Sequence, residues 1–294
     1  MEADYKALKN GGFMRQRQKN KFSMRLKVVG GDLSAAQIRV IAEAAERFGA
    51  GRVHLTSRQG VEIPFVDLRD TEAVKAFLAK GGVSAGVCGP RVRTVTACQG
   101  DAVCPSACID TASLAREISE RYFGRELPHK FKLGVTGCVN NCLKAEENDL
   151  GVKGALFLEL DGEACTGCGL CVKICRDGAL SLAGEEGPVR LDPARCNNCG
   201  RCVSSCPSDA WKGTPGYRLY FGGTFGNVIG IGEALLPLLR DKEELFAAAD
   251  RAVEFFVERG RPGERFRSVI LRAGWQALAD SLAGALAGRA GGGQ

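Results

Sequence analysis

The chain has 294 residues, 45% of them hydrophobic and 25% charged, which is the make-up of an ordinary globular protein with room for two domains or for one domain and an insertion. Its formal net charge of +6 is mild, and with sparse aromatics and no long basic run it excludes a nucleic-acid stripe and suits an anionic cofactor and substrate. No apolar run reaches the about 20 residues of a membrane span, and the N-terminus from Met1 to Phe22 lacks an apolar stretch, so the expectation is a cytoplasmic protein with neither span nor export signal.

Met24 to Val29 alternates apolar and charged residues up to Gly30-Gly31 and reads as a strand and turn. Asp32-Leu33-Ser34 opens a helical pattern through Phe48. Val53 to Thr56 and Val61 to Val66 read as strands around a polar turn, and Thr71 to Ala79 as a helix. This order with short loops implies an α+β unit on an antiparallel sheet. A strand near Val92 to Thr96, a helix from Ser113 to Tyr122, and strands at Phe131 to Thr136 and Ala155 to Leu160 follow. From Glu163 to Lys212 periodicity gives way to Cys, Gly and turn residues, the mark of an insertion. Tyr217 to Phe221 resumes a strand, and helices are expected at Ile231–Leu239, Lys242–Glu258 and Phe266–Ala287, with a frayed glycine-rich tail from Arg289.

Fourteen cysteines in such a chain read as metal ligands, because thiols stay reduced in the cytosol. Cys165, Cys168, Cys171 and Cys175 form one C-x2-C-x2-C-x3-C run; Cys196, Cys199, Cys202 and Cys206, followed by Pro207, form another. Zinc also takes C-x2-C pairs, but two such runs suit cubanes better. The segment resembles the bacterial two-cluster ferredoxins, with Arg176 where the first run usually has Pro. In that pattern the fourth Cys of each run serves the other cluster, which implies Cys165, Cys168, Cys171 with Cys206, and Cys196, Cys199, Cys202 with Cys175.

Outside the insertion stand Cys98-x5-Cys104 and Cys138-x3-Cys142. On spacing alone these four suit any tetrahedral metal, a structural zinc included. With Thr136-Gly137 before and Asn140 inside the second element, they resemble the siroheme-dependent sulfite and nitrite reductases. That resemblance implies a third [4Fe–4S] cluster, with Cys142 also bridging to the siroheme iron; position 139 is Val where the family usually has Pro. It extends to Thr56, Arg58 and Gln59 in a siroheme-touching turn. Arg93, Lys130 and Lys132 match substrate-site cations, and Arg25 and Lys27 lie on the substrate-site strand, Lys27 where the family often has Arg. Without the resemblance, Lys130 and Lys132 would equally suit a solvated sheet face and Arg58 a surface turn. The arrangement resembles the catalytic-subunit type of anaerobic sulfite reductase.

The resemblance implies an α+β fold: a ferredoxin-like half-domain at 1–85, a siroheme and [4Fe–4S] domain at 86–160 and 213–294, and an inserted 2[4Fe–4S] ferredoxin domain at 161–212. It further implies six-electron reduction of sulfite to sulfide with siroheme and three [4Fe–4S] clusters, electrons entering through the insertion. Nitrite reduction to ammonia, or a haem-free polyferredoxin carrier, remain the alternatives. No Gly-rich nucleotide fingerprint is present, so an electron-donor subunit or an external ferredoxin or flavoprotein is expected. Larger family members take the basic residues from one repeat and the cysteines from a second. Here one repeat carries both, which points to a homo- or hetero-oligomer with the site across the interface.

Overall fold

The computed structural model of the chain describes residues 4–184 and 187–290. It opens with α1 (Tyr5–Asn10), whose first N–H groups are capped by the Asp4 carboxylate. Then come β1 (Phe13–Arg15), β2 (Lys21–Arg25), α2 (Ala35–Phe48), β3 (His54–Leu55), β4 (Val61–Asp67) and α3 (Thr71–Lys80). The strands form an antiparallel sheet in the order β1-β2-β4-β3. Period-two burial turns Phe22 and Met24 of β2 inward, and Ile41, Ala44 and Ala45 of α2 close over them with Ile63, Val74 and Leu78. Ser34 and Gln37 form a reciprocal capping box at the start of α2. β2 stops at Arg25, short of the expected Val29. The chain then runs irregularly past a single bridge from Leu26 to Ala85 into a tight turn at Val29–Gly31, where Gly30 takes φ 65°.

A second sheet holds β5 (Thr96–Ala97), β6 (Leu133–Thr136), β7 (Leu150–Leu160) and β10 (Trp211–Phe221), in the order β10-β7-β6-β5. β5, β6 and β7 are parallel neighbours, with α4 (Thr111–Tyr122) crossing between β5 and β6, while β10 runs antiparallel to β7 from Trp211↔Leu160 to Phe221↔Leu150. α7 (Lys242–Arg259), α8 (Phe266–Ala273) and α9 (Trp275–Ala290) cover it, and Phe131, Phe256 and Phe266 meet with ring centroids 5.2–5.8 Å apart.

Three expectations fail here for local reasons. Val92 makes one bridge to Phe131, and only Thr96–Ala97 is strand. Residues 231–239 are extended rather than helical; Gly230, Gly232 and Pro237 disfavour a helix, and Glu233 and Leu239 pair with Phe221 and Tyr217 instead. The last helix breaks at Gly274, whose φ of 95° separates α8 from α9. Of the glycine-rich tail, 291–294 lies outside the described residues, and α9 runs through to Ala290.

Between β7 and β10 the cysteine-rich segment forms α5 (Leu170–Ile174), the hairpin β8 (Leu180–Leu182) and β9 (Val189–Leu191), and α6 (Arg201–Ser204). The two short helices start alike, at Gly169 (φ 69°) and Gly200 (φ 73°), each directly after a cysteine. A small core of Leu180, Val189 and Trp211 with Cys171 and Cys202 holds the halves together.

Candidate active site and cofactor-binding residues

Parallel pairing of β5 with β6 sets Ala97 opposite Val135, so the loops carrying the two core cysteine pairs leave the same end of the sheet. There the Gly137 N–H donates to Cys98 Sγ at 3.0 Å. Burial pushes the Cys138 thiol up, and Cys104, Cys142 and Cys98 are near enough to add to the shift. Cys138 is buried and Cys142 is exposed. The Gly137 carbonyl accepts from the Cys108 N–H at 2.7 Å, a close approach that Gly154 permits, since a Cβ there would lie 2.3 Å from that oxygen.

In the cysteine-rich segment between β7 and β10, Cys175, Cys196, Cys199 and Cys202 line a cavity of about 170 Å³ that also touches Val139 and Asn140. Cys165, Cys168, Cys171 and Cys206 line a second, much smaller one. Backbone N–H groups point at sulfur here too, from Ala179 to Cys175 at 3.2 Å and from Asn198 to Cys196 at 3.4 Å. Among the described residues no three Cys, His, Asp or Glu side chains converge as ligands of one metal ion would. The thiols stand around cavities, and thiolate corners with backbone donors to sulfur fit iron–sulfur clusters. Burial raises the Cys108 thiol to about 11, with Cys138 and Cys199 adding to the shift, so the two groups of thiols adjoin.

The opposite end of the sheet is cationic. Arg25, Thr56, Arg58, Arg93, Lys130 and Lys132 line a cavity of about 240 Å³. Arg58 donates to Asn148 Oδ1 at 2.6 Å and to the Thr94 and Leu133 carbonyls at 3.3 and 3.4 Å, and its burial lowers it to about 10. Arg93 donates to the Val87 and Gly89 carbonyls at 2.7 and 2.9 Å. Arg25 pairs with Glu62 at 2.5 Å and donates to Cys88 Sγ at 3.4 Å. Burial first, then Arg58 and Arg265, lower Lys132 to about 8; Lys130 is lowered by burial, Arg265 and Arg93.

Two members of this cluster escaped the sequence reading. Asp149 is fully buried, accepts the Lys132 N–H at 2.8 Å and receives Arg265 Nη2 at 3.1 and 3.2 Å. Burial raises its carboxyl while Arg265 and the Lys132 N–H oppose the rise. An acid just before an apolar strand was a signal for Asp149; nothing local marks Arg265 at the start of α8.

Of the other expected site residues, Lys27, Gln59 and Asn140 lie elsewhere. Lys27 lines a different cavity, with Gly30, Gly31 and Cys98, and its ammonium sits 4.4 Å from the Phe123 ring centre. It parts from Arg25 because the strand ends between them. Gln59 is committed to the Ala97 backbone, donating to its carbonyl at 2.8 Å and accepting its N–H at 3.0 Å. Thr56 Oγ1 accepts the Gly60 N–H at 2.9 Å, closing the turn that presents Arg58. Asn140 lines the cavity of Cys175, Cys196, Cys199 and Cys202.

Residues 88–287 match the family described as nitrite and sulphite reductase 4Fe-4S domain. The chain belongs to that family. Residues 14–81 match the nitrite/sulfite reductase ferredoxin-like half domain. This family member is 34% identical over 156 residues to the coenzyme F420-dependent sulfite reductase of Methanocaldococcus jannaschii, covering 53% of the chain and 25% of that protein. It is 35% identical over 205 residues to a subunit of the anaerobic sulfite reductase of Salmonella typhimurium, covering 65% of the chain and 60% of the relative. The assimilatory ferredoxin-dependent nitrite reductase of Haloferax mediterranei is 34% identical over 181 residues, 53% of the chain and 29% of that protein. The chain thus spans a quarter to three fifths of these relatives' lengths. It shares its fold with dissimilatory sulfite reductase I, at a TM-score of 0.73 and 20% identity over 90% of the chain and 69% of that one.

Within the family fold, the cations and the thiols sit at opposite ends of the same strands. Arg93 precedes β5 and Lys132 precedes β6, whereas Cys98 and Cys138 follow them. β6 alone is about 10 Å long at 3.3 Å per residue. Among the described residues no helix is long and apolar enough to cross a membrane.

Proposed function

We propose that the chain reduces sulfite to sulfide, taking up six electrons and six protons and releasing three waters. The observation that carries this reading is the convergence of Arg25, Arg58, Arg93, Lys130 and Lys132 on one cavity, where, among the described residues, only Arg25 has a carboxylate partner. A small oxoanion supplies the missing negative charge. Siroheme would supply the iron that reduces such an anion, and exposed Cys142, with Cys98, Cys104 and Cys138, would hold the cluster coupled to it. The arginines hold the oxygens, and Lys132, with its lowered pKa, can give up a proton near neutral pH as S–O bonds break.

In this reading 161–212 is an inserted two-cluster ferredoxin unit through which electrons enter. The set of Cys175, Cys196, Cys199 and Cys202 is the inner one, because its cavity touches the Val139–Asn140 loop between Cys138 and Cys142. The separation of the two ends of the sheet supports a site completed by a second chain, the basic pocket of one copy facing Cys142 of the other.

Anaerobic purification with siroheme available tests the proposal. About twelve irons per chain for three cubanes, siroheme bands, and sulfide formation with an artificial one-electron donor are expected. Clusters without siroheme, or turnover of nitrite with none of sulfite, sink it. Mixing inactive Lys132→Gln and Cys142→Ser chains should restore activity if copies share sites; no recovery in verified mixed oligomers refutes the shared site.

A further inference from the structure

Beyond Lys130 lies a second cavity, of about 370 Å³, that the reading above leaves unused. Lys130 lines both cavities, so they adjoin. Arg265 and Arg267 complete its cationic wall beside His129, and among the described residues no Asp or Glu side chain lines it. The charge there is only partly compensated. Asp149 engages Arg265 through Nη2 only, and Arg265 Nε is buried with no partner among the described residues. Arg267 donates to the Gly222 and Ile231 carbonyls, each at 2.9 Å, which satisfies geometry but supplies no anion. Among the described residues Lys130 has neither hydrogen bond nor ion pair.

The backbone adds to this. α8 begins at the cavity with Arg265 as its N-cap and no side chain capping the first turn, so the Arg267 and Ser268 N–H groups stay open. The positive end of the helix therefore points where three side-chain cations already gather. The groups repel one another: burial, then Lys130, Arg265 and Arg93, hold His129 below its ordinary pKa.

We propose that this cavity is a second oxygen-anion site, separate from the basic pocket, which takes either a free small oxoanion or a carboxylate arm of the bound tetrapyrrole. Guanidinium, ammonium and helix N–H donors around one void suit a carboxylate or an inorganic oxoanion equally. The assignment does not depend on which oxoanion is reduced.

Ser268→Asp is the test. Ser268 is exposed in the first turn of α8, where an acid favours the helix, so the fold should hold while the new carboxylate repels an anion. Sulfate is titrated calorimetrically into the full chain produced without siroheme. The expected result is a binding event that Ser268→Asp abolishes and Arg267→Gln weakens at least tenfold, beside a second event that neither removes. If no event is sensitive to Ser268→Asp while the melting temperature is unchanged, the site does not exist. Siroheme loading separates the two sources. A sensitive event that survives loading belongs to a free oxoanion, and one that loading abolishes belongs to a tetrapyrrole carboxylate.

Discussion

Lys132 carries the most direct pH prediction. A lysine ordinarily titrates at 10.5, and here burial, Arg58 and Arg265 disfavour the charged form and bring it to about 8, against the pull of Asp149. An anion in the cavity reverses that balance, so the bound state keeps Lys132 protonated and binding takes up a proton above pH 8. With a pKa of about 8, roughly nine tenths of the free protein is protonated at pH 7 and roughly one tenth at pH 9. Affinity should therefore fall about tenfold between these values. The assay is competitive inhibition by sulfate, whose own charge is constant in this window, measured at intervals from pH 6.5 to 9.5. Lys132→Arg stays charged throughout and should flatten the profile. Stability runs the other way: the unfolded chain binds the extra proton between about 8 and 10.5, so this group favours folding more as pH rises. Unfolding thus cannot mimic the loss. A flat wild-type profile, or the same inflection in Lys132→Arg, refutes the reasoning.

Gln59→Leu strips both partners from the Ala97 backbone, at a cost of about 1–3 kcal/mol for each group left buried and unpaired; urea denaturation reads it, and the adjacent Cys98 should lose iron before the insertion does. Gly154→Ala puts a Cβ 2.3 Å from the Gly137 carbonyl and must displace the turn bearing Cys138. A stability loss of about 1–3 kcal/mol is expected, with a lower iron content measured by colorimetry. Burial pushes the Asp250 carboxyl up, but hydrogen bonds from Arg121 Nε at 3.0 Å and Tyr122 Oη at 2.7 Å outweigh it and hold the carboxyl below its usual value. Its contribution is present above the unfolded pKa of about 3.9 and lost as pH falls through the folded one. Asp250→Asn should accordingly cost about 1–3 kcal/mol at pH 7 and less at pH 3, by urea denaturation at both.

The sequence by itself determined what short-range chemistry controls. Cysteine spacing singled out the two C-x2-C-x2-C-x3-C runs, because a turn of two or three residues is what presents neighbouring thiolates to one centre, whereas Cys98, Cys104, Cys138 and Cys142 were grouped only by the family resemblance. The capped, amphipathic α2 and the strand β4 were legible for the same reason: periodicity and capping are local. Arg58 was not: without the family resemblance its turn reads as surface. Tertiary structure decided everything that depends on where the chain goes next. Asp149 and Arg265, separated by more than a hundred residues, meet because α8 packs back on the sheet. Lys27 leaves the basic cluster because β2 ends two residues earlier, although alternation alone would keep it beside Arg25. Residues 231–239, apolar enough to be read as a helix, are extended because the edge of β10 offers hydrogen bonds that a glycine- and proline-bearing helix could not match. The separation of cations from thiols was visible in the sequence only as a few residues of spacing. β5 and β6, by running parallel, turned that spacing into two opposite ends of one sheet.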